Sequence, residues 1–339
     1  MTALIVRKPG EIGLEQREPL RAGPGEVLIR PDLVGLCGTD LEIIDGKIDP
    51  AYLNYPIALG HEWTGIVAGD SPLAGRRVIV AGIIGCGVCV RCASGAANLC
   101  LTYDEIGFTR DGAAATEIVV PASQVHQVAD SVAADDAVLA EPSSVVYTAL
   151  TKAGLTPGSR VLVLGDGTIA LLAVMLARLW SPAQVALIGL RPDQGGLAAA
   201  AGASSFGLAD SEVDAADAGP DGFDLVIEAA GSTAAAEVAI SRVRRGGTVL
   251  LIGLPPHGDT IPLAVDDLVN NDLTMLGSFG YTPAAWRSVV ALLDSGQLAP
   301  SKLITHRYPL ADWEQAVATL RGGTGPRGKV LLEIPQERR

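Results

Sequence analysis

The chain has 339 residues, a formal net charge of −13 at pH 7 and 48% apolar residues. This length predicts two domains, and the apolar fraction is ample for two hydrophobic cores. The negative charge argues against nucleic acids and anionic membranes as partners, and no apolar run reaches the ~18 residues of a membrane span. We therefore expect a globular protein that binds neither nucleic acid nor membrane.

The first predicted elements are short β-strands. Residues 1–7 have the apolar character of a strand and lack the basic start of a signal peptide. Further strands are predicted at 26–31 and 77–81, and glycines interrupt the chain between them. Short strands punctuated by glycine suit a small irregular β-barrel.

Two separate segments of this region carry side chains that zinc favours. Cys37 begins a Cys-Gly-Thr-Asp sequence, and His61 and Glu62 directly follow Gly60. A thiolate, an imidazole and a carboxylate from separate segments are typical ligands of a catalytic zinc, which keeps one position open for water or substrate. A lone cysteine or histidine is more often part of a core, but this combination predicts a catalytic metal site.

Four further cysteines, Cys86, Cys89, Cys92 and Cys100, follow with the spacing C-x2-C-x2-C-x7-C. Four thiolates can close a tetrahedral shell around one zinc ion, which leaves no open position and predicts a structural site. An iron–sulfur cluster is the alternative, but its common cysteine run has a shorter last gap and a proline after the fourth cysteine. Here Leu101 follows, so zinc is favoured. Cysteines grouped as metal ligands fit a reducing compartment, and we expect a cytoplasmic location.

An apolar strand at 160–164 runs into a Gly-x-Gly-x-x-Ala turn and then into an apolar helix. Gly165 makes the tight turn, Gly167 lets the backbone approach a pyrophosphate, and the small Ala170 permits helix–strand packing. The amide groups that open the helix hold the negative charge of the ligand. Candidate cofactor contacts in this helix start are Thr168 and Ile169.

Two more apolar strands that end in glycine follow, at 223–231 and 246–253, with a helical stretch between them. Strands that alternate with helices predict βαβ units and therefore a parallel sheet. Gly253 and Leu254, at the end of the last of these strands, are further candidate cofactor contacts.

Together these motifs resemble those of the zinc-dependent medium-chain dehydrogenase/reductase superfamily, which includes the alcohol dehydrogenases. Within it, the sorbitol, threonine and glucose dehydrogenases and the bacterial secondary-alcohol dehydrogenases are the most similar groups. The two zinc-ligand segments, the four-cysteine lobe, an Ala-Glu-Pro sequence at 140–142 and the glycine-rich turn occur in the family's order and at close to its spacings.

The resemblance implies an α/β protein with a GroES-like β-barrel catalytic domain and a Rossmann domain built on a doubly wound parallel sheet. We expect the catalytic domain with its structural zinc lobe at 1–147, the nucleotide-binding domain at 148–285, and a return to the catalytic domain at 286–339. A helix at 283–295 would return the chain, and a strand at 326–334 would complete the first domain.

The resemblance also implies that Cys37, His61 and Glu62 hold the catalytic zinc. Glu141, in the Ala-Glu-Pro sequence, either ligates the metal too or reaches it through the metal's water, and an inter-domain salt bridge is the alternative for this residue. Zinc would polarise the substrate oxygen, while hydride passes between the substrate carbon and the nicotinamide.

A proton relay is implied by two residues near Cys37. Thr39 matches the family's hydroxyl beside the substrate oxygen, and the relay often ends in a histidine where this chain has Glu42. A carboxylate can take up the proton as a general base, but a solvated surface acid is an equally good interpretation of Glu42. Asp40 is expected to brace the loop or the ring of His61.

Cofactor choice is predicted from the second strand of the Rossmann fold, where NAD-specific relatives have an acidic residue that binds the ribose 2′-hydroxyl. Here the strand ends in Gly189, and Arg191 follows. A carboxylate facing a 2′-phosphate would cost about 4 kcal/mol at 4 Å and an effective dielectric constant of 20. NADP(H) is therefore favoured over NAD(H), unless Arg191 merely stacks on the adenine. Lys329 is a further candidate for a pyrophosphate contact, by resemblance.

The expected activity is oxidation of a secondary alcohol, or reduction of the matching ketone, with two zinc ions in each chain. The carboxylates near the metal, Glu42, Glu62 and Glu141, favour a polyol, sugar or cyclitol as substrate. The alternatives are a hydrophobic secondary-alcohol dehydrogenase or carbonyl reductase, and a cofactor-binding relative without turnover. The resemblance implies a homodimer or homotetramer.

Overall fold

The computed structural model describes residues 1–209 and 221–336. The chain forms two compact units, of which the first comprises Met1–Glu141 and Thr282–Arg339 and the second Pro142–Tyr281. The first boundary lies inside a helix, Ala140–Ala153, whose opening turn carries Glu141. The limit expected from the sequence, after residue 147, lies within the same helix. Among the described residues, no helix is long and apolar enough to cross a lipid bilayer.

The secondary-structure elements are numbered along the described part of the chain. The strands are β1 (Thr2–Lys8), β2 (Glu11–Gln16), β3 (Glu26–Leu36), β4 (Ile57–Ala58), β5 (Glu62–Ala68), β6 (Arg77–Val80), β7 (Ile83–Ile84), β8 (Asp104–Glu105), β9 (Ile118–Pro121), β10 (Val125–Gln127), β11 (Arg160–Leu164), β12 (Gln184–Gly189), β13 (Ser205–Leu208), β14 (Phe223–Glu228), β15 (Val243–Leu251), β16 (Thr274–Gly277), β17 (Ile304–Pro309) and β18 (Lys329–Glu333). The α-helices are α1 (Gly38–Asp45), α2 (Val90–Ala93), α3 (Ala134–Ala137), α4 (Ala140–Ala153), α5 (Thr168–Ala177), α6 (Gly195–Ala201), α7 (Thr233–Arg242), α8 (Val265–Asn270), α9 (Pro283–Asp294) and α10 (Trp313–Gly322).

The first unit is built mainly of β-structure. Its largest sheet has the strand order β10-β6-β5-β3-β18-β17, with β9 paired to β3, and a smaller sheet has the order β2-β1-β4. The C-terminal strand β18 lies between β3 and β17, antiparallel to the first and parallel to the second. Strands contribute fully buried apolar side chains to one core, for example Leu4, Ile29 and Val330. The last segment of the chain is therefore an interior strand of the first unit.

Strand β3 continues to Leu36, five residues beyond the end that the sequence suggests. Its register against β5 shifts between Pro31 and Leu33. Proline cannot donate a backbone hydrogen bond, and strands accommodate it at such irregularities. The proline thus coincides with an irregularity of β3 and does not end the strand, which reaches the residue before Cys37.

The second unit contains a six-stranded sheet of order β13-β12-β11-β14-β15-β16. Every neighbouring pair in this sheet is parallel. Counted from β11, the order is 3-2-1-4-5-6, which is that of the doubly wound dinucleotide-binding fold. The strands are nearly continuous apolar runs with buried residues such as Leu162, Val226 and Val249, as expected for a sheet covered on both faces. The α/β class and the Rossmann sheet predicted from the sequence are confirmed.

Candidate active site

The two predicted ligand segments meet because β3 and β5 are antiparallel neighbours. The end of β3 lies beside the start of β5, with Gly35 opposite Glu62. Cys37 follows the first strand, and His61 directly precedes the second. A Cβ atom on Gly35 would lie 2.6 Å from Oε2 of Glu62. Glycine at this position therefore leaves the space that the Glu62 side chain fills.

Cys37 is fixed as the N-cap of helix α1. Its Sγ accepts the backbone N–H of Thr39 at 3.2 Å, and Oδ2 of Asp40 accepts the backbone N–H of Cys37 at 2.8 Å. These reciprocal bonds form a capping box, with cysteine in the place usually held by serine or threonine. The sulfur thus lies at the N-terminal end of a helix, where the dipole favours negative charge.

Cys37, His61 and Glu62 form a group that fits a metal ion. Their ligand atoms all lie within 4.8 Å of one another. The imidazole Nε2 is 3.9 Å from Oε1 of Glu62, and both side chains are buried. One sulfur, one nitrogen and one oxygen ligand satisfy the donor preferences of zinc and leave a fourth position for a substrate oxygen. Among the described residues, Glu141 does not belong to this group.

The ring of His61 is also held from its other side. Its Nδ1 faces the buried carboxylate of Asp40, and the distance to Oδ1 is 3.6 Å, which is longer than a hydrogen bond. Phe108 packs against the ring, with the two centroids 5.2 Å apart. Burial alone would lower the pKa of His61, but the charges of Asp40 and Cys37 raise it well above its ordinary value. Asp40 therefore contacts the loop at Cys37 and faces the His61 ring, which are the two roles expected of it.

Lys329, a candidate for a pyrophosphate contact, is placed differently by the structure. Its ammonium group forms a buried ion pair with Oε2 of Glu62 and donates to the carbonyl oxygen of Leu36 at 3.2 Å. Only 2% of Lys329 is exposed, so the side chain lacks the accessibility that a pyrophosphate contact needs. Because Lys329 takes one oxygen of Glu62, the other oxygen is the one presented to the metal group.

Two more carboxyl groups, those of Glu141 and Glu105, lie near this site. Burial, followed by the nearby charge of Glu62, raises the pKa of Glu141 to about 8. Burial also raises the pKa of Glu105 to about 7, against the opposing charge of His61. Glu105 was not recognised in the sequence, because it follows the four-cysteine lobe outside any motif. Both acids add potential hydrogen-bonding groups for a hydroxylated substrate.

Thr39 and Glu42, the expected proton relay, lie three residues apart on α1 and therefore on one face of that helix. Both side chains are partly buried. Burial raises the pKa of the Glu42 carboxyl, and the charge of Lys47 only partly opposes this effect. A partly buried carboxylate on the helix that Cys37 caps is a suitable terminal proton acceptor.

Glu42→Gln is expected to slow alcohol oxidation at neutral pH and to leave the zinc content unchanged. In the unmodified enzyme, the rate should fall as the pH drops through the raised pKa of Glu42, since the protonated acid cannot accept a proton. The variant should lack this ionisation in the pH profile of kcat. A normal profile for the variant would instead identify Glu42 as a solvated surface acid.

The four remaining cysteines form a second compact group around the short helix α2, with all sulfurs within 4.8 Å of one another. The sulfurs of Cys86 and Cys92 are 4.0 Å apart, and those of Cys89 and Cys100 are 3.9 Å apart. A zinc–sulfur bond of about 2.3 Å implies a tetrahedral edge of about 3.8 Å. The backbone N–H groups of Cys86 and Thr102 lower the pKa of Cys100 to about 6. The geometry of the group fits zinc.

Cys92→Ser is expected to lower thermal stability and to release one zinc ion, because a structural zinc contributes directly to folding free energy. A thermal melt and elemental analysis of the same sample would test this. Release of zinc without any loss of stability would contradict a structural role for the four-cysteine group.

The second unit carries the glycine-rich turn between β11 and α5. Gly165 has a φ angle of +116°, and a Cβ atom there would lie 2.9 Å from the backbone of Ala229 and Ala230. Gly167 is the N-cap of α5 without a side-chain cap, and nothing lies within 4 Å of a Cβ built on it. The first N–H groups of α5 can therefore bind a pyrophosphate. Ala170 is fully buried, as its packing role requires.

Arg191 follows the end of β12, and the structure pairs its side chain with a residue that the sequence-based expectation did not include. The guanidinium folds back onto Asp166, the middle residue of the glycine-rich turn, with Nη2 to Oδ1 at 2.8 Å and Nε to Oδ1 at 3.2 Å. Hydrogen bonds and charge from Arg191 hold the pKa of Asp166 below its ordinary value, although burial opposes them. The sequence identified Arg191 but not this partner, since the middle position of the motif is unrestricted.

Comparisons with known proteins agree with this geometry. The family described as "Alcohol dehydrogenase GroES-like domain" matches residues 23–130, and "Zinc-binding dehydrogenase" matches residues 168–295. The L-galactonate-5-dehydrogenase of Escherichia coli is 31% identical over 92% of both chains, and the sorbitol dehydrogenase of Bacillus subtilis is 31% identical over 94% of this chain and 92% of its own.

The fold has equally clear counterparts among solved structures. A protein of Sinorhizobium meliloti, described as a zinc-binding dehydrogenase and bound to NADP, superposes with a TM-score of 0.90 at 28% identity and covers 98% of both chains. The family, the fold class and the NAD(P)-dependent oxidation of alcohols that the sequence predicts are thus confirmed. The chain belongs to the zinc-dependent medium-chain dehydrogenase/reductase family of alcohol dehydrogenases.

Proposed function

We propose that the protein interconverts a secondary alcohol of a polyol, sugar or cyclitol and the corresponding ketone, with NADP(H) as the preferred cofactor. The observation that carries this proposal is the compact group of Cys37, His61 and Glu62, of which His61 and Glu62 are buried. The carboxyl groups of Glu105 and Glu141 flank this group. Relatives that act on L-galactonate and sorbitol support a substrate with several hydroxyl groups.

Each residue of the site has a distinct task in this proposal. Zinc, when bound by Cys37, His61 and Glu62, supplies a Lewis acid that polarises the substrate oxygen. Thr39 passes the hydroxyl proton toward Glu42, on the same face of α1. Lys329 fixes Glu62 through a buried ion pair and limits its rotation.

Glu141 has two possible roles at the metal, as a direct ligand or through a bound water. Its place outside the compact ligand group favours the second role. Together with Glu105, it would accept hydrogen bonds from substrate hydroxyl groups when ionised, or donate one when protonated. Such polar groups discriminate strongly against analogues that lack the hydroxyl, because a buried polar group is then left unpaired.

We propose two zinc ions in each chain, one at the group of Cys37 and one at the four-cysteine group. The NADP(H) preference is supported by the absence of a carboxylate at Gly189 itself and by the presence of Arg191. The Nη1 nitrogen of Arg191 is buried and has no hydrogen-bond partner among the described residues. The NADP-bound structural relative is consistent with this preference.

We also propose that the protein forms a homodimer or homotetramer in the cytoplasm. Strand β16 ends the sheet of the second unit, at the side opposite to β13. Exposed apolar side chains occur in the same unit, including Val265 and Val269 of α8. Large exposed apolar residues and unpaired sheet edges are typical of association surfaces. Light scattering coupled to gel filtration would measure the assembly.

A panel of substrates, followed at the nicotinamide absorbance, tests the proposed activity. Polyols, sugars and cyclitols should give a higher kcat/KM than simple secondary alcohols of equal carbon number. The opposite order would identify a hydrophobic secondary-alcohol dehydrogenase or carbonyl reductase. No turnover with any substrate, in protein that contains both zinc ions, would indicate a cofactor-binding relative.

A further inference from the structure

The side chain of Asp166, in the turn that follows β11, fills the space beside Gly189 at the end of β12. A Cβ atom on Gly189 would lie 2.6 Å from both Cβ and Oδ2 of Asp166. Gly189 is thus required for the close approach of Asp166. The strand end therefore does present a carboxylate, although that carboxylate comes from the glycine-rich turn and not from β12.

The carboxylate of Asp166 occupies a preformed set of donors. Its Oδ2 accepts the backbone N–H groups of Leu190 and Arg191, both at 2.9 Å. Its Oδ1 accepts Nε and Nη2 of the Arg191 guanidinium. We call these two N–H groups and the guanidinium the strand-end subsite. Two backbone amides and a guanidinium fork are donors that suit a phosphate group as well as a carboxylate.

The backbone of Asp166 reinforces this arrangement. Its carbonyl oxygen accepts Nη2 of Arg191 at 2.8 Å and Nε2 of Gln194 at 2.6 Å. Gln194 is fully buried, while 23% of the Arg191 side chain and 12% of the Asp166 side chain are exposed. The guanidinium is consequently held in one orientation, while part of the Arg191 side chain remains exposed to solvent.

We propose that Asp166 is a specificity-determining residue that acts as an internal competitor for the 2′-phosphate of NADP(H). Its carboxylate neutralises Arg191 and occupies the donors of the strand-end subsite, so it weakens NADP(H) binding more than NAD(H) binding. This inference rests on the proposed nucleotide site of the second unit. It adds a residue that sets the strength of the cofactor preference.

The charges explain why the effect is selective. Asp166 and Arg191 together carry no net charge, whereas a 2′-phosphate brings a further negative charge close to the carboxylate. A 2′-hydroxyl brings none and can donate a hydrogen bond to the carboxylate. Like charges near a partly desolvated site repel more strongly than in bulk water. Removal of the charge of Asp166 should therefore benefit ligands that carry the 2′-phosphate more than ligands that lack it.

The test is to measure binding of 2′,5′-ADP and 5′-AMP by calorimetry, without substrate or turnover. Asp166→Asn keeps an oxygen that accepts the backbone N–H groups, but it lacks the charge that holds Arg191. The ratio of the Kd for 5′-AMP to the Kd for 2′,5′-ADP should rise about tenfold, or about 1.4 kcal/mol. Asp166→Ser should change the ratio in the same direction, and it replaces Asp166→Asn in the measurement if the asparagine variant is unstable.

Two further variants make the result specific. Asp193→Asn removes an equal charge from the exposed turn next to Arg191, and it should leave the ratio within about twofold. Arg191→Ala should abolish the gain when combined with Asp166→Asn. An unchanged or lower ratio in both Asp166 variants, or an equal gain in Asp193→Asn, would overturn the proposal. If the unmodified protein preferred NADH, the proposed cofactor preference would be wrong, but the proposed role of Asp166 would not be affected. That role is judged from the change in the ratio of the two Kd values between the variants and the unmodified protein.

Discussion

Cys37→Ser should lose one of two zinc ions and nearly all turnover, while the fold is retained. The sulfur of Cys37 is one of three ligand atoms in the compact group, and a serine hydroxyl is a much weaker ligand for zinc than a thiolate. Loss of a Lewis acid that stabilises the reacting oxygen by several kcal/mol corresponds to a rate decrease of about 1,000-fold or more. Elemental analysis and steady-state kinetics on one preparation measure both effects.

The matched control is Cys92→Ser, which makes the same chemical change in the other cysteine group. That variant should also lose one zinc ion, but its main defect should be thermal stability. The pair separates a catalytic from a structural metal. Retained turnover in Cys37→Ser, or iron with sulfide in the unmodified protein, would contradict the assignment of the two sites.

The clustering of the proposed zinc ligands was predictable because they lie in short motifs with fixed spacing. Cys37 and the His61–Glu62 pair come from segments that follow or open adjacent strands, and the four-cysteine lobe is local in sequence. The strand order of the second unit was predictable for a similar reason, since βαβ units allow few topologies. Local motifs were therefore sufficient to predict which side chains cluster and the class of the fold.

The partners of these residues were not predictable, because they depend on tertiary contacts. Lys329 is 267 residues away from Glu62 in sequence, and its pairing requires that β18 lies next to β3. Asp166 occupies a motif position that any residue can fill, so nothing local indicates that it binds Arg191. Glu105 lies in the short strand β8, outside any motif. Burial and charge compensation, which the sequence does not display, decide the roles of these residues.

The buried ion pair between Lys329 and Glu62 leads to the second large expected effect. Lys329→Met should destabilise the protein by about 3–5 kcal/mol, because the change leaves the Glu62 carboxylate buried without its partner. For a unit of this size, the apparent thermal midpoint should fall by about 6–20 °C. Differential scanning calorimetry at constant scan rate and zinc concentration measures the shift.

Two controls distinguish the ion pair from a general effect of losing a lysine. Lys302→Met alters an exposed lysine of the same unit and should change stability by less than about 0.5 kcal/mol. The double variant Lys329→Met with Glu62→Gln removes both charges and should recover most of the lost stability, although it should bind the catalytic zinc weakly. If the double variant were as unstable as Lys329→Met, the defect would come from packing of the lysine stem. In that case Lys329 would support β18 and not the orientation of Glu62, and the carboxylate would depend on the metal alone for its position.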